Sequence, residues 1–219
     1  MKQIVVGIDE SGRGPVIGPL VICAYACSED NLQELKDNGV KDSKLISPAG
    51  RNKLYEKLKN GIYVVRKLTA VEITSAMDKK ISLNELEAQI CGELLNELEG
   101  KTSFYRAYID SPDPIASKYS QRIKKYYRGK AELISENKAD VTYPVVSAAS
   151  IVAKVERDSE IENIKKIVGE DFGSGYPADP MTKNFMQRRH ADAAVQEYIR
   201  HRWKTVTNLK TKQKALGEF

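Results

Sequence analysis

The sequence has 219 residues, of which 41% are hydrophobic and 30% are charged, a composition typical of a soluble globular protein with a sizeable core. No apolar run approaches the length of a membrane span, and a strand-like segment follows Met1 too closely for a signal peptide, so we expect a cytoplasmic protein without a membrane partner. The three cysteines are odd in number and have no histidine beside them, which indicates core thiols rather than disulfides or a zinc site.

The net charge of +5 is unevenly distributed along the chain. Residues 181–219 contain nine Lys and Arg against three Asp and Glu, so this segment alone carries +6. A second basic run, residues 118–130, is interleaved with tyrosines. Such stripes suit a polyanion such as nucleic acid, but a charge run is more often a solvated helix face, and we favour that interpretation for residues 118–130.

Hydrophobic periodicity and turn residues predict ten elements. In chain order they are strand 3–9, strand 19–27, helix 48–58 capped by Ser47, strand 62–69, helix 82–98, strand 104–110, a tyrosine-rich helix, a strand near 131–136, helix 145–168 and helix 181–203. Short early connections favour antiparallel pairing, and later strands alternate with helices. The order therefore predicts an α/β fold with a mixed five-stranded sheet flanked by helices.

A hydrophobic run, Ile4 to Ile8, ends in Asp9-Glu10-Ser11-Gly12-Arg13-Gly14-Pro15. A strand that delivers two acids to its end and then turns on small residues places negative charge beside exposed backbone N–H groups. This combination suits a metal ion together with a phosphate. The alternative is an ordinary turn, because Asp, Ser, Gly and Pro all favour turns.

Two further acids follow strand-like segments: Asp110 ends the fourth predicted strand, and Asp140 comes shortly after the fifth. If the strands ending at Asp9 and Asp110 are parallel neighbours, these acids meet at one edge of the sheet. Clustered carboxylates without Cys or His favour Mg²⁺ or Mn²⁺ over zinc. Taken singly, Asp110 could merely start a turn and Asp140 could merely cap a helix.

Six separated motifs resemble, in this order, those of the ribonuclease HII family. They are Asp9 to Pro15, Asp42-Ser43-Lys44, Tyr108-Ile-Asp110-Ser, Lys138-Ala-Asp140, Ala148-Ala-Ser-Ile-Val-Ala-Lys154 and Gly173-Ser-Gly-Tyr176-Pro. The form of the last motif and the short N-terminus resemble archaeal, single-chain members. The resemblance implies an RNase H-like fold with a C-terminal helical extension, divided into a catalytic domain over 1–176, a substrate-binding extension over 177–206 and a basic tail over 207–219.

The resemblance also implies the chemistry. Asp9, Glu10, Asp110 and Asp140 match the family's catalytic acids, which bind one or two Mg²⁺ or Mn²⁺ ions. Members cleave the RNA strand of RNA–DNA hybrids and single ribonucleotides embedded in duplex DNA. Cleavage on the 5′ side of the ribonucleotide leaves a 3′-hydroxyl and a 5′-phosphate.

Other positions match substrate-binding residues of the family. Gly12, Arg13 and Gly14 match the loop that reads the ribose 2′-hydroxyl through backbone groups, and glycines admit that close approach. Tyr176 matches a tyrosine that packs on the next sugar, although on its own it could simply close a Gly-Pro turn. Lys44 and Lys154 match phosphate-contacting lysines.

The last seven residues resemble the peptide by which replication proteins bind the sliding clamp. Gln213, Leu216 and Phe219 occupy the glutamine, aliphatic and aromatic positions, but the usual second aromatic is missing. A clamp is therefore a candidate partner, and we otherwise expect a monomer. Two rivals stay open: another RNase H-like nuclease, such as a resolvase, and a noncatalytic module that binds hybrids.

Overall fold

A computed structural model describes residues 3–40 and 46–209. Lys44, Gln213, Leu216 and Phe219, for which the sequence suggests functions, lie outside these residues. The described chain divides into two compact units. The first unit comprises the residues up to Ser11 together with Val21–Arg66 and Asn84–Glu156, and the second comprises Gly12–Leu20, Lys67–Leu83 and the residues from Arg157 onward.

The first unit is built on a sheet of five strands with the order β3-β2-β1-β4-β5. The strands are β1 (Ile4–Ser11), β2 (Leu20–Ser28), β3 (Ile62–Leu68), β4 (Arg106–Asp110) and β5 (Glu132–Glu136). Strand β1 is antiparallel to β2 and parallel to β4, which is parallel to β5. The predicted mixed five-stranded sheet is confirmed, and each strand lies within two residues of its predicted position.

The helices are divided between the two units. They are α1 (Leu32–Asp37), α2 (Pro48–Leu58), α3 (Ala70–Asp78), α4 (Leu83–Glu99), α5 (Ala116–Ile123), α6 (Ala139–Thr142), α7 (Pro144–Val168) and α8 (Pro180–Arg189). Helix α2 has the predicted cap, since the Ser47 side chain accepts from the Gly50 N–H at 3.2 Å. The sequence analysis missed α1, α3 and α6, although Thr69 and Glu72 form a capping box at the start of α3.

The small residues at the start of α7 allow this helix to pack closely on β1. A Cβ at Gly7 of β1 would lie 2.3 Å from the carbonyl carbon and oxygen of Val145. The first half of α7 is almost entirely buried, including Val146, Ala149 and Val152, each 0% exposed. Because no side chain separates the two backbones at Gly7, the start of α7 packs directly against the middle of β1.

The predicted helix from Met181 to Trp203 is wrong in its second half. Helix α8 ends at Arg189, and a short 3-10 helix follows at Ala193–Tyr198. Asp192 starts that new turn by accepting a hydrogen bond from the Ala194 N–H at 2.9 Å. Ile199 then forms an antiparallel bridge with Ile17. The chain is extended at Ile199 because its backbone pairs with another segment, which helical periodicity cannot reveal.

The second unit has a core of its own, which includes Val16, Ile17, Phe172, Phe185 and Ile199. The predicted boundary after residue 176 describes a division of function, and it stays a prediction. Among the described residues, no helix combines the length and the apolar character needed to cross a membrane.

Candidate functional site

The sheet brings acids to one edge, as predicted. Strands β1 and β4 pair in parallel with Ile8 opposite Ile109, and the next residues are Asp9 and Asp110. Asp110 Oδ1 accepts a hydrogen bond from the Ala139 N–H at 2.8 Å, at the start of α6. Asp140 is the next residue and is 2% exposed. Parallel pairing and a helix start therefore place these acids at the carboxyl edge of the sheet.

Asp9 experiences an acidic, poorly solvated environment. Its side chain is 5% exposed. Burial, followed by the negative charges of Glu10 and Asp110, raises the pKa of Asp9 well above its ordinary value. A hydrogen bond from the Ser150 side chain and one from the Glu10 N–H, at 2.7 Å, act in the opposite direction. Burial first, and repulsion from the neighbouring carboxylates second, therefore disfavour ionisation of Asp9.

The donor chemistry of this edge fits a hard divalent cation. Within the described ranges, no three His, Cys, Asp or Glu side chains converge into a preformed metal-binding group. Nevertheless, the ligands on offer are carboxylate oxygens, which Mg²⁺ and Mn²⁺ prefer. Positive charge at the edge would also relieve the repulsion that raises the pKa of Asp9.

Ser150 is a site residue that the sequence analysis missed. It lies on α7 and its side chain contacts the Asp9 carboxylate. Lys154, a predicted phosphate ligand, is half-buried on the same helix. Since it comes four residues after Ser150, it lies on the same helix face. Ser150 lies within the Ala148–Lys154 motif, but nothing in the motif identified it as a partner of Asp9.

The glycine-arginine loop, Gly12 to Gly14, belongs to the second unit. Gly12 has a φ of +88°, and a Cβ there would lie 2.5 Å from Cδ and Nε of Arg157. Gly14 is exposed, and a Cβ there would meet the Tyr176 ring at 3.4 Å. Arg13 is half-buried. The structure thus brings together two features that the sequence analysis assigned to substrate recognition, the loop and Tyr176.

Arg157 packs against Gly12 and against the Tyr176 ring, and it was not predicted from the sequence. It is 1% exposed, and its Nη2 donates to the Ser174 carbonyl at 2.8 Å. Its guanidinium lies 5.2 Å from the centre of the Tyr176 ring. Burial lowers the pKa of Arg157. An arginine that is buried under one turn and stacked on an aromatic ring orients that ring.

The turn before Tyr176 is fixed by Asp179. Its Oδ2 accepts from both the N–H and the hydroxyl of Ser174, each at 2.7 Å. These bonds, the backbone one first, lower the pKa of Asp179. Gly173 and Gly175 take φ values of +76° and +81°, which favour glycine. The turn holds Tyr176 with 37% of its surface exposed.

The basic run at residues 118–130 lies mostly at the protein surface, where most of its Lys and Arg residues are exposed. Tyr119 is 1% exposed, so part of the aromatic interleaving belongs to the core. Arg122 pairs with Glu85 at 2.9 Å and with Asp113 at 3.2 Å. The exposure of these residues agrees with the interpretation favoured from the sequence, a solvated helix face.

Comparison with known proteins agrees with the fold and with these motifs. A sequence model of the family "Ribonuclease HII" matches residues 6–206. The chain is 43% identical over 208 residues to a ribonuclease HII from Pyrococcus horikoshii, covering 94% of this chain and 92% of that protein. Similar solved structures include the ribonuclease H2 from Pyrococcus horikoshii OT3, with a TM-score of 0.83, 39% identity and coverage of 97% of this chain and 99% of the other. The PCNA:RNase HII complex from Archaeoglobus fulgidus gives a TM-score of 0.82 at 38% identity, covering 92% and 95% of the two chains.

The family match spans most of the chain, and both structural neighbours share its architecture. The predicted RNase H-like fold is thereby confirmed. Enzymes of this family are ribonucleases H, which hydrolyse RNA in RNA–DNA hybrids and depend on divalent metal ions. This chain belongs to the ribonuclease HII family.

Proposed function

We propose that this enzyme cleaves the RNA strand of RNA–DNA hybrids and also cuts duplex DNA at single embedded ribonucleotides. Cleavage falls on the 5′ side of the ribonucleotide and leaves a 3′-hydroxyl and a 5′-phosphate. Family membership supports the endonuclease activity. The observation that carries the proposal is the parallel pairing of β1 with β4, in which Asp9 and Asp110 directly follow the last paired residues, Ile8 and Ile109.

Asp9, Glu10, Asp110 and Asp140 would hold one or two Mg²⁺ or Mn²⁺ ions. When bound, such ions activate a water and stabilise the charge that develops on the attacked phosphate. The protein's part is to keep the Asp9 carboxylate oriented, and the hydrogen bonds from Ser150 and the Glu10 N–H support that role. Asp9 and Asp140 are almost fully buried, which limits the access of water to their carboxylates.

Substrate recognition falls to residues of the second unit together with two lysines. Gly12 to Gly14 would contact the 2′-hydroxyl, and the Tyr176 ring would pack on the following sugar. Lys154 and Lys44 would neutralise phosphates. In the sequence only Ser11 separates Glu10 from Gly12, so one short segment carries both a catalytic acid and the start of the recognition loop.

The test is a comparison of Asp110→Asn with Asp37→Asn, a matched control on α1. The substrate is a DNA duplex that contains one ribonucleotide, incubated with Mg²⁺ or Mn²⁺. We expect Asp110→Asn to abolish cleavage while largely preserving binding, because it removes a charged ligand and changes little shape. Asp37→Asn should cleave normally. Full activity of Asp110→Asn would refute the metal assignment, and tight binding by the wild type without any cleavage would favour a noncatalytic module.

We also propose that the C-terminal tail binds the sliding clamp through Gln213, Leu216 and Phe219. The solved PCNA:RNase HII complex from Archaeoglobus fulgidus supports a clamp partner. Two apolar side chains on a short peptide can anchor in a pocket on folding. Replacing Leu216 and Phe219 together by alanine should abolish binding to immobilised clamp in surface plasmon resonance, and unchanged binding would contradict this assignment.

A further inference from the structure

Arg200 is buried beneath the glycine-arginine loop. Its side chain is 0% exposed, yet it reaches three backbone carbonyls. Nη2 donates to Gly12 O at 2.6 Å, Nη1 to Arg13 O at 2.9 Å and Nε to Gly18 O at 3.0 Å. Charge-assisted bonds of this kind are stronger than neutral ones. The planar guanidinium therefore fixes two successive peptide groups of the loop.

Trp203 bonds to the third carbonyl of the loop, that of Gly14. Its Nε1 donates to Gly14 O at 3.3 Å, and the Arg200 guanidinium lies 5.0 Å from the centre of its indole ring. The carbonyls of residues 12, 13 and 14 are thus all bonded from one short segment. That segment is itself anchored, since Arg200 N donates to Val16 O at 2.9 Å and Ile199 bridges Ile17.

These hydrogen bonds to the carbonyls also determine the direction in which the N–H groups of the loop point. In a trans peptide group the N–H points away from the carbonyl. With the Gly12 and Arg13 carbonyls turned toward Arg200, the N–H groups of Arg13 and Gly14 point away from it. Pro15 follows and offers no N–H. Because both preceding carbonyls face the same guanidinium, these two N–H groups are directed to the same side of the loop, an arrangement that binds oxygen ligands.

We infer that Arg200, assisted by Trp203, is a positioning residue for recognition of the 2′-hydroxyl. It sets the direction of the Arg13 and Gly14 N–H groups, which donate to the 2′-oxygen, and it does not touch the substrate. The inference rests on the proposed function. It adds that selection of a ribonucleotide depends on a residue nearly two hundred positions away in the sequence.

Arginine is required at this position because of its shape. Lysine keeps the charge, but its ammonium cannot offer a planar fork to the carbonyls of Gly12, Arg13 and Gly18 at once. Arg200→Lys is therefore the informative variant. Arg202→Lys is the matched control, because the ion pair of Arg202 is with Asp78 rather than with the loop. Both variants preserve net charge, so nonspecific attraction to DNA is unchanged.

The readout is discrimination in binding, measured by fluorescence anisotropy without divalent metal. Each protein is titrated with a duplex containing one ribonucleotide and with the same duplex in all-DNA form. Wild type and Arg202→Lys should prefer the ribonucleotide duplex. Arg200→Lys should lose about tenfold of that preference, the value of one well-made hydrogen bond, with unchanged affinity for all-DNA duplex. Trp203→Phe keeps a ring but removes the N–H, and it should lose about threefold.

The outcomes separate this inference from the proposed function. A folded Arg200→Lys protein with wild-type discrimination overturns the positioning role while the proposed function stands. A wild-type protein without any preference refutes the proposed recognition and the inference with it. Equal loss of affinity for both duplexes shows a purely structural role and also overturns the inference. If Arg200→Lys fails to fold by circular dichroism, Trp203→Phe decides by the same comparison.

Discussion

Replacing Gly12 by alanine tests how tightly the recognition loop is confined. The new Cβ would lie 2.5 Å from Cδ and Nε of Arg157 and 2.7 Å from the Pro19 carbonyl oxygen. Arg157 has little room to withdraw, because it is 1% exposed and its Nη2 is bonded to Ser174 O at 2.8 Å. The substitution therefore combines backbone strain with overpacking.

The magnitude can be estimated by adding the two contributions. A left-handed conformation costs a non-glycine residue about 1–2 kcal/mol. Overpacking of a filled site costs about 1–3 kcal/mol more. Gly169→Ala isolates the first contribution, because Gly169 has a φ of +73° in the same unit and a Cβ there would meet nothing within 4 Å. The difference between the two variants should thus be about 1–3 kcal/mol.

Thermal unfolding by circular dichroism, performed on both variants and the wild type, measures this difference. For a chain of this size about 1 kcal/mol lowers the midpoint by roughly 2–4 °C. Gly12→Ala should therefore unfold roughly 2–12 °C below Gly169→Ala, and it should also cleave a ribonucleotide-containing duplex more slowly. Equal midpoints for the two variants would show that Arg157 and Pro19 do not confine Gly12, which would refute the reasoning.

Three further predictions concern packing, pH and the tyrosine. Gly7→Ala should lower the free energy of unfolding by about 3 kcal/mol or more, measured in urea, because the new Cβ would meet backbone atoms of Val145 at 2.3 Å; a loss below about 1 kcal/mol would contradict the close packing. The pKa of Asp179 is lowered in the folded protein, chiefly by the hydrogen bond from the Ser174 N–H. The Asp179 carboxylate therefore stabilises the fold above about pH 4, the ordinary Asp value, and this stabilisation is lost as the pH falls through the lower folded pKa. Asp179→Asn should accordingly be less stable than wild type in urea at pH 7, with the gap closing in acid, and a gap independent of pH would exclude this linkage. Tyr176→Ala should reduce kcat/KM on a ribonucleotide-containing duplex about ten- to hundredfold, as expected for losing an aromatic contact of about 1.5–3 kcal/mol. Tyr176→Phe should keep most of the activity, because the ring is retained. Equal losses in the two variants would assign the role to the hydroxyl group instead of the ring.

Local patterns were sufficient to predict the sheet. The strand ending at Asp9 and the strand ending at Asp110 were visible as short apolar runs, and the alternation of later elements indicated parallel pairing. The same reasoning failed after Arg189, where the chain stays basic but leaves the helix. There the bridge between Ile199 and Ile17 determines the conformation, and tertiary pairing overrides helical propensity.

Some residues of the candidate site could likewise be predicted from the sequence, and others could not. Its acids were predictable because each follows a strand, and Gly12 and Gly14 because glycines bracket a turn. Arg157 and Arg200 were not predictable: Arg200 lies in a basic segment and Arg157 lies between acidic residues, and both settings usually mean a solvated charge. Both are instead buried and bond to loop carbonyls. Only the folded structure shows which basic side chains are bonded within the protein and which are available to nucleic acid.

The most direct test of the proposed function is cleavage mapping on an end-labelled DNA duplex with one ribonucleotide, incubated with wild-type protein in the presence and absence of Mg²⁺. We predict a single metal-dependent cut on the 5′ side of the ribonucleotide, with a 3′-hydroxyl on the upstream fragment and no cleavage of the all-DNA duplex. Equal cleavage of both duplexes would contradict recognition of the 2′-hydroxyl, and a cut on the 3′ side would contradict the proposed polarity.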